Sequence, residues 1–285
     1  MQQIMPGITC NLMGGIGNQL FQIALAFSLS RRFGIPYFIE DQQLSFMGQG
    51  NHPSKYYSTV YKKVPRTKSL SAPIHHHKEQ HFTFYDIGYA IEPFLHTCTI
   101  RLEGYFQSDQ HFYGFDKEVR DLFTPTEGIK EWLKMNSTLF QMYPDLFEPD
   151  NKACYIGVRR GDYLKVAGNF HNVCEMNYYV QAMSKFPEGQ RYYIASDDIA
   201  WCKEQFKGSQ FTFFELDDTV QLYAGALFKN YILSNSTFHW WASFLSVHET
   251  PTIYVPNKWL FGPNAKWDQY STIYRKDMRV LDRSC

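Results

Sequence analysis

The sequence predicts an α/β protein made of two α/β halves. Two observations carry that expectation. From about residue 150, buried-strand runs and helical patterns alternate five times, which is the pattern of a mostly parallel sheet with helices on both faces. At the N-terminus, an apolar run, a glycine-rich turn, a long apolar helix pattern and a second apolar run form a βαβ unit.

The N-terminal unit reads as follows. "GITCNLM" is a short strand that ends at Gly14 and Gly15. Asn18 is placed to cap the helix that follows, through about Phe33, and Gly34 sits where a C-terminal cap glycine belongs. "IPYFIED" is the next strand. Between 42 and 130 the pattern is irregular, and only "CTIRLEGYF" (98–106) reads as a strand.

Further on, strands are predicted at 153–158, 191–196, 211–216, 230–234 and 252–256, with helices at 177–186, 198–207, 218–229 and 236–247. "YPDLFEPDN" (143–151), with its two prolines, reads as a linker. The expected domains are therefore 1–150 and 151–285.

Composition narrows the partners. The chain has 285 residues, with 28 basic and 28 acidic side chains, so it lacks the basic excess of nucleic-acid binders. One local basic run, Lys55, Lys62, Lys63, Arg66 and Lys68, is either a solvated face or a peripheral membrane contact through 55–68. Six scattered cysteines form no CxxC pair, which points to reduced thiols. No apolar run approaches the ~18 residues of a membrane span, and no signal segment opens the chain, so a cytoplasmic location is expected.

Four motifs sit at strand ends. Gly14, Gly15 and Gly17 lead from a strand into a helix, where backbone N–H groups and the helix dipole favour an anion. Glu40 or Asp41 then stands where a dinucleotide enzyme keeps its ribose-binding carboxylate, but Leu20 occupies the third glycine position of G-x-G-x-x-G. "YIGVRRGDYL" (155–164) places Arg159 and Arg160 directly after a buried strand. Arginine forks match phosphate oxygens; equally, one arginine can bridge to Asp162 or Asp198.

In "IASDDIAW" (194–201), one of Asp197 and Asp198 is expected to cap a helix and the other to meet a ligand. In "ILSNSTFHWWASFL" (232–245), Asn235, Ser236 and Thr237 open a helix; Phe238 and the tryptophans either wall a ligand or fill the core.

Absent motifs also matter. There is no D-x-D, no G-x-S-x-G and no GxxxxGK[ST]. "HHHKEQH" (75–81) lacks the H-E-x-x-H order and is read as a solvated loop.

Taken in order, "GGIGNQLFQIA", "LEGYFQS", "RRGDYL", "SDD", "NSTFHWW" and "PNKW" resemble the α-1,2-fucosyltransferases from Met13 to about Trp259. The resemblance implies two Rossmann-like domains facing across a cleft (glycosyltransferase B type). The N-terminal domain would lie on the acceptor side, and the C-terminal one would hold the nucleotide sugar. It implies transfer of L-fucose from GDP-fucose to a galactose hydroxyl of an oligosaccharide or lipid-linked glycan, with inversion, no metal and no further cofactor.

It also implies roles. Arg159, with Arg160 beside it, meets the β-phosphate. Asp197 and Asp198 lie near the guanosine. Asn235, Ser236, Thr237 and Phe238 line the nucleotide-sugar site, and Gly15, Gly17, Asn18 and Gln19 face the pyrophosphate. For the base, Asp162 ranks ahead of His171 and Glu103.

Two positions depart from the family pattern. Gly157 stands where histidine is usual, and Gln221 where aspartate is usual. These departures keep a second reading open, a GDP-sugar- or glycan-binding homologue with weak or no catalysis. The glycine loop and Glu40 keep a third, an NAD-dependent oxidoreductase.

Overall fold

A computed structural model describes residues 6–41, 50–70, 72–148, 152–165, 171–260 and 266–281. The chain divides into two compact units. The first holds Met1–Pro125 and Asp268–Arg275, and the second holds Thr126–Trp267 and Lys276–Cys285. The boundary thus falls at Pro125 rather than at 150. "YPDLFEPDN" is not the divide, because Leu146 and Phe147 of its short 3-10 turn are buried within the second unit.

In the first unit, β1 (Ile8–Cys10), α1 (Ile16–Phe33) and β2 (Ile39–Glu40) form the expected βαβ unit, with Tyr37 bridging Ile8 in parallel. The helix caps differ in part. Gly34 closes α1 in the left-handed region as expected. Asn18 does not cap it; Gly15 is the N-cap and Asn18 lies in the first turn. Gln19 and Gln22 are buried on the apolar side of α1 together with Leu20, Phe21 and Ile23.

Next come β3 (Arg66–Thr67), β4 (Ile74–Lys78), α2 (Gly88–Ile91), β5 (Thr99–Glu103) and α3 (Asp116–Phe123). β5 lies between β1 and β4 in a three-stranded parallel sheet, and β2 pairs with β3. "HHHKEQH" is therefore no loop at its start. His75, His76 and His77 lie on edge strand β4, paired along Ile100 to Leu102. Among the described residues no group of three or more His, Cys, Asp or Glu is arranged to hold a metal ion.

The second unit opens with α4 (Ile129–Asn136) and α5 (Leu139–Met142). It continues with β6 (Cys154–Val158), α6 (Met176–Met183), β7 (Tyr192–Ser196), α7 (Ile199–Gln205), β8 (Phe211–Phe214), α8 (Asp218–Gly225), β9 (Asn230–Leu233), α9 (Thr237–Phe244), β10 (Thr252–Pro256) and β11 (Met278–Leu281). Each expected strand and helix from 150 onward is present; β10 matches its expected bounds, α6 starts one residue early, and most of the others are shorter by one to a few residues at their ends. β11 was not foreseen. It adds to the edge of β10 after the chain has returned to the first unit at Asp268–Arg275.

All six strands are parallel, in the order β11-β10-β9-β6-β7-β8. Side chains alternate across a strand, so β6 serves two cores. Cys154, Ile156 and Val158 pack with Tyr178, Tyr179 and Ala182 of α6 and Cys202 of α7. On the other face Tyr155 meets His239 of α9 and lies against Gly225 of α8. Trp240 and Trp241 are fully buried, so the core reading holds for both.

Cys10, Cys98, Cys154 and Cys202 are free thiols, and Cys285 lies outside the described residues. No helix among the described residues is long and apolar enough to cross a membrane. In the basic run, Lys63 donates to the carbonyls of Asp121 and Thr124, and Arg66 pairs with Asp41. Part of that charge therefore fastens the first unit to itself.

Candidate active site

The sheet order of the second unit locates the site. From β6 the chain adds β7 and β8 on one side, then crosses back to place β9 on the other. The carboxyl ends of β6 and β9 form the topological switch point, where ligands of open α/β sheets bind. Arg159 and Arg160 follow β6 there, and Asn235 to Phe238 follow β9.

The period of the strand sends the two arginines to opposite faces. Arg159 continues the Tyr155–Gly157 row and is held by two carboxylates. One of its terminal nitrogens lies 2.8 Å from Asp162 Oδ2, and its Nε 3.2 Å from Asp197 Oδ2. Burial opposes the guanidinium charge, but Asp197 and Asp162 more than offset it, and the group holds its proton more firmly than a free arginine. Arg160 lies flat over Trp201, 3.9 Å from the ring centroid, with its Nε 3.6 Å from Asp198.

The aspartate pair splits in role, as expected of one of them. Asp198 caps α7 by accepting the Trp201 amide at 3.2 Å. Asp197 does not stand free for a ligand. It grips Arg159 and accepts the Arg160 amide at 2.9 Å.

Asn235 is also a clamp. Fully buried, its amide donates to the carbonyls of Asn172 and Trp259, both at 2.8 Å, and so ties together the loops after β6, β9 and β10. Ser236 is the N-cap of α9 in an extended conformation and makes no side-chain cap bond. Thr237 and Phe238 are half-buried in the first turn.

His171 joins this group. Its ring stacks on Tyr163 at 4.0 Å and 8°, and its backbone bridges Leu260. Tyr163 in turn donates to the Asn235 carbonyl at 2.9 Å and lies 5.4 Å from the Arg159 guanidinium. Burial holds the His171 imidazole below its ordinary pKa, with Asp162 opposing, so the ring is neutral near pH 7. The structure thus gathers Arg159, Asp162, Asp197, His171 and Asn235 around Tyr163. Tyr163, Asn172 and Trp259 were not singled out from sequence; only the polar turn around each hinted at them.

Gly15, Gly17, Asn18 and Gln19 belong to the first unit. Gln19 is closed off from any ligand. Its amide donates to the Gly14 and Asn51 carbonyls at 2.9 and 3.0 Å, and its oxygen accepts Tyr61 at 3.1 Å. Asn18 accepts Gln107 at 3.0 Å. Gly14 has φ +73°, and a side chain there would run into the Asn18 amide. The turn is thus fixed by α1 itself.

Glu40 takes a two-oxygen contact from Arg101 at 2.9 and 3.0 Å, and Asp41 pairs with Arg66, so neither is free for a ribose. Glu103 is tied to His76 at 2.5 Å. Gln221 lies half-buried in α8.

The family model for Glycosyl transferase family 11 matches residues 7–278. The chain belongs to Glycosyl transferase family 11. The resemblance read from the motifs is thereby confirmed over nearly the whole chain, and with it the glycosyltransferase class.

Among curated relatives, the O-antigen biosynthesis glycosyltransferase WbnK of Escherichia coli is 25% identical, with 89% of this chain and 95% of that protein covered. An alpha-1,2-colitosyltransferase of Escherichia coli is 26% identical over 56% of each chain. Galactoside alpha-(1,2)-fucosyltransferase 2 of Sus scrofa is 24% identical, over 87% of this chain and 72% of that one. In fold, a glycosyl transferase family 9 structure from Veillonella parvula aligns over 98% of this chain and 86% of its own, with a TM-score of 0.50 at 10% identity. The architecture of this family 11 chain is accordingly α/β with Rossmann-like units, of the glycosyltransferase B type.

Proposed function

We propose that this chain moves L-fucose from GDP-fucose to the 2-hydroxyl of a galactose unit in an oligosaccharide or lipid-linked glycan, with inversion and without a metal ion. One observation carries the reading. Arg159 stands at the switch point of the second sheet with its fork oriented by Asp162 and Asp197. A cation fixed there is suited to the β-phosphate of a nucleoside diphosphate.

The chemistry follows from charge. As the anomeric C–O bond breaks, its electron pair leaves with GDP, and negative charge grows on the β-phosphate. A preorganised guanidinium and the first amides of α9 stabilise that charge more in the transition state than in the ground state. The acceptor oxygen attacks from the opposite face, which inverts the anomeric centre. Its proton passes to a base. Asp162 has one oxygen on Arg159, and its other oxygen is buried with no hydrogen-bond partner among the described residues. His171 is neutral and so able to accept a proton. Both remain candidates for that role.

The similarity to these relatives supports the class and leaves two things to measure, the donor sugar and the acceptor. The test is incubation of the purified chain, in EDTA, with GDP-fucose and a panel of galactosides, followed by linkage analysis. An α-1,2-linked fucosyl product supports the reading. GDP binding with no product on any acceptor favours the non-catalytic homologue. Strict dependence on a divalent ion contradicts the metal-free part.

A further inference from the structure

His239 fills a space that Gly157 leaves empty. Tyr155, Gly157 and Arg159 share one face of β6, and the middle position has no side chain. A Cβ on Gly157 would stand 2.4, 2.6 and 2.7 Å from the Cγ, Cδ2 and Nδ1 of His239. The imidazole of α9 therefore lies in the row, between Tyr155 and Arg159. It is 3% exposed, with Nδ1 2.8 Å from the Tyr155 hydroxyl.

Burial, helped by Arg159 and opposed by Asp197, holds the ring's pKa down to about 4, so it is neutral. A neutral imidazole has one acceptor and one donor. With Nδ1 paired to Tyr155, the ring is tied to the strand face that leads into Arg159.

A merely packed core would be served by an apolar side chain, which needs no partners. Here a polar ring is buried, hydrogen-bonded to Tyr155, and made possible by a glycine in the neighbouring strand.

We propose that His239 is a positioning residue. By occupying the Gly157 slot and bonding Tyr155, it fixes the end of β6 from which Arg159 reaches the nucleotide. The proposal rests on the reading of Arg159 as the phosphate ligand.

The experiment measures GDP affinity by calorimetry and melting temperature by scanning fluorimetry. It compares the wild type with His239→Ala, His239→Gln, Gly157→Ala, the Gly157→Ala/His239→Ala double variant and Arg159→Ala. His239→Ala is expected to weaken GDP binding about tenfold, the scale of one lost hydrogen bond of positioning. His239→Gln, whose amide can donate and accept, is expected to stay within about threefold of wild type. Gly157→Ala is expected to weaken binding by collision, and to add nothing in the His239→Ala background, where the ring is gone.

Wild-type GDP affinity in both His239→Ala and Gly157→Ala overturns the proposal. So does a His239→Gln variant as weak as His239→Ala. Should His239→Ala fail to fold, His239→Gln and Gly157→Ala decide the matter. Arg159→Ala separates the two levels. Unchanged binding there removes the phosphate reading itself, while loss there with normal binding in the His239 variants removes only the positioning role.

Discussion

Asp197 holds the arginine pair at two points. Arg159 Nε lies 3.2 Å from Asp197 Oδ2, and the other oxygen of that carboxylate accepts the next backbone amide, that of Arg160, at 2.9 Å. One side chain at the end of β7 thus fixes both the fork of the cation and the turn that carries it. Few other changes in the second unit would loosen the candidate phosphate site so directly.

Asp197→Ala should free that turn. The expected result is GDP binding weakened by about tenfold or more, because a hydrogen bond to a charged group contributes roughly 1.5–3 kcal/mol. A melting temperature lowered by a few degrees should accompany it. Calorimetry and a thermal melt check the two effects, and unchanged binding would remove Asp197 from the account.

Asn235→Ala should leave the buried carbonyls of Asn172 and Trp259 without their shared donor. Each unsatisfied buried group costs about 1–3 kcal/mol, so this variant should be among the least stable single changes at the site. Its urea midpoint should fall with little change in slope.

Glu40→Gln offers the contrasting case. Glu40 is engaged by Arg101 in the first unit, far in sequence from the arginine pair. A loss of about 1 kcal/mol in stability is expected, with GDP affinity as in the wild type and no NADH binding in either protein. NADH binding that vanishes in the variant would revive the oxidoreductase reading.

Stability should fall on the acid side. Burial pushes His239 and His111 down to a pKa of about 4 in the folded protein, while an unfolded histidine titrates near 6.5. Between those values the unfolded chain binds more protons. The stabilisation is full above about pH 6.5 and is lost as pH falls toward 4, each such histidine contributing a slope of up to about 1.4 kcal/mol per pH unit. Melting temperatures across pH 4–7 should show this, and His239→Gln should flatten the curve by about one proton.

Much of the second unit is legible in the sequence because its strands are buried on both faces. Runs such as "ACYIGV" and "NYILS" need no partner to be recognised. β4 hid because an edge strand tolerates polar side chains, and "IHHHK" carries no apolar period. The boundary at Pro125 and the return at Asp268–Arg275 hid because they are long-range packing facts, and the turn residues of "FTPTEG" do not by themselves mark a domain edge.

At the site, residue types were readable and partners were not. "RRGDY" and "SDD" announced charges at strand ends, but only coordinates show that Asp197 holds Arg159 instead of facing outward. Gln19 looked like a loop ligand in "GGIGNQL", yet it is locked between Gly14, Asn51 and Tyr61. His239 carries no reading of its own within "NSTFHWW"; the missing Cβ of Gly157 gives it a place.

The most direct measurement is a calorimetric titration of GDP into wild-type and Arg159→Ala protein, both in EDTA and both shown to be folded. The account predicts tight, metal-independent binding to the wild type and a loss of roughly a hundredfold in the variant, at the upper end of what a charged hydrogen-bond pair supplies. Equal affinity in the two proteins, or no binding to the wild type until a divalent ion is added, would contradict it.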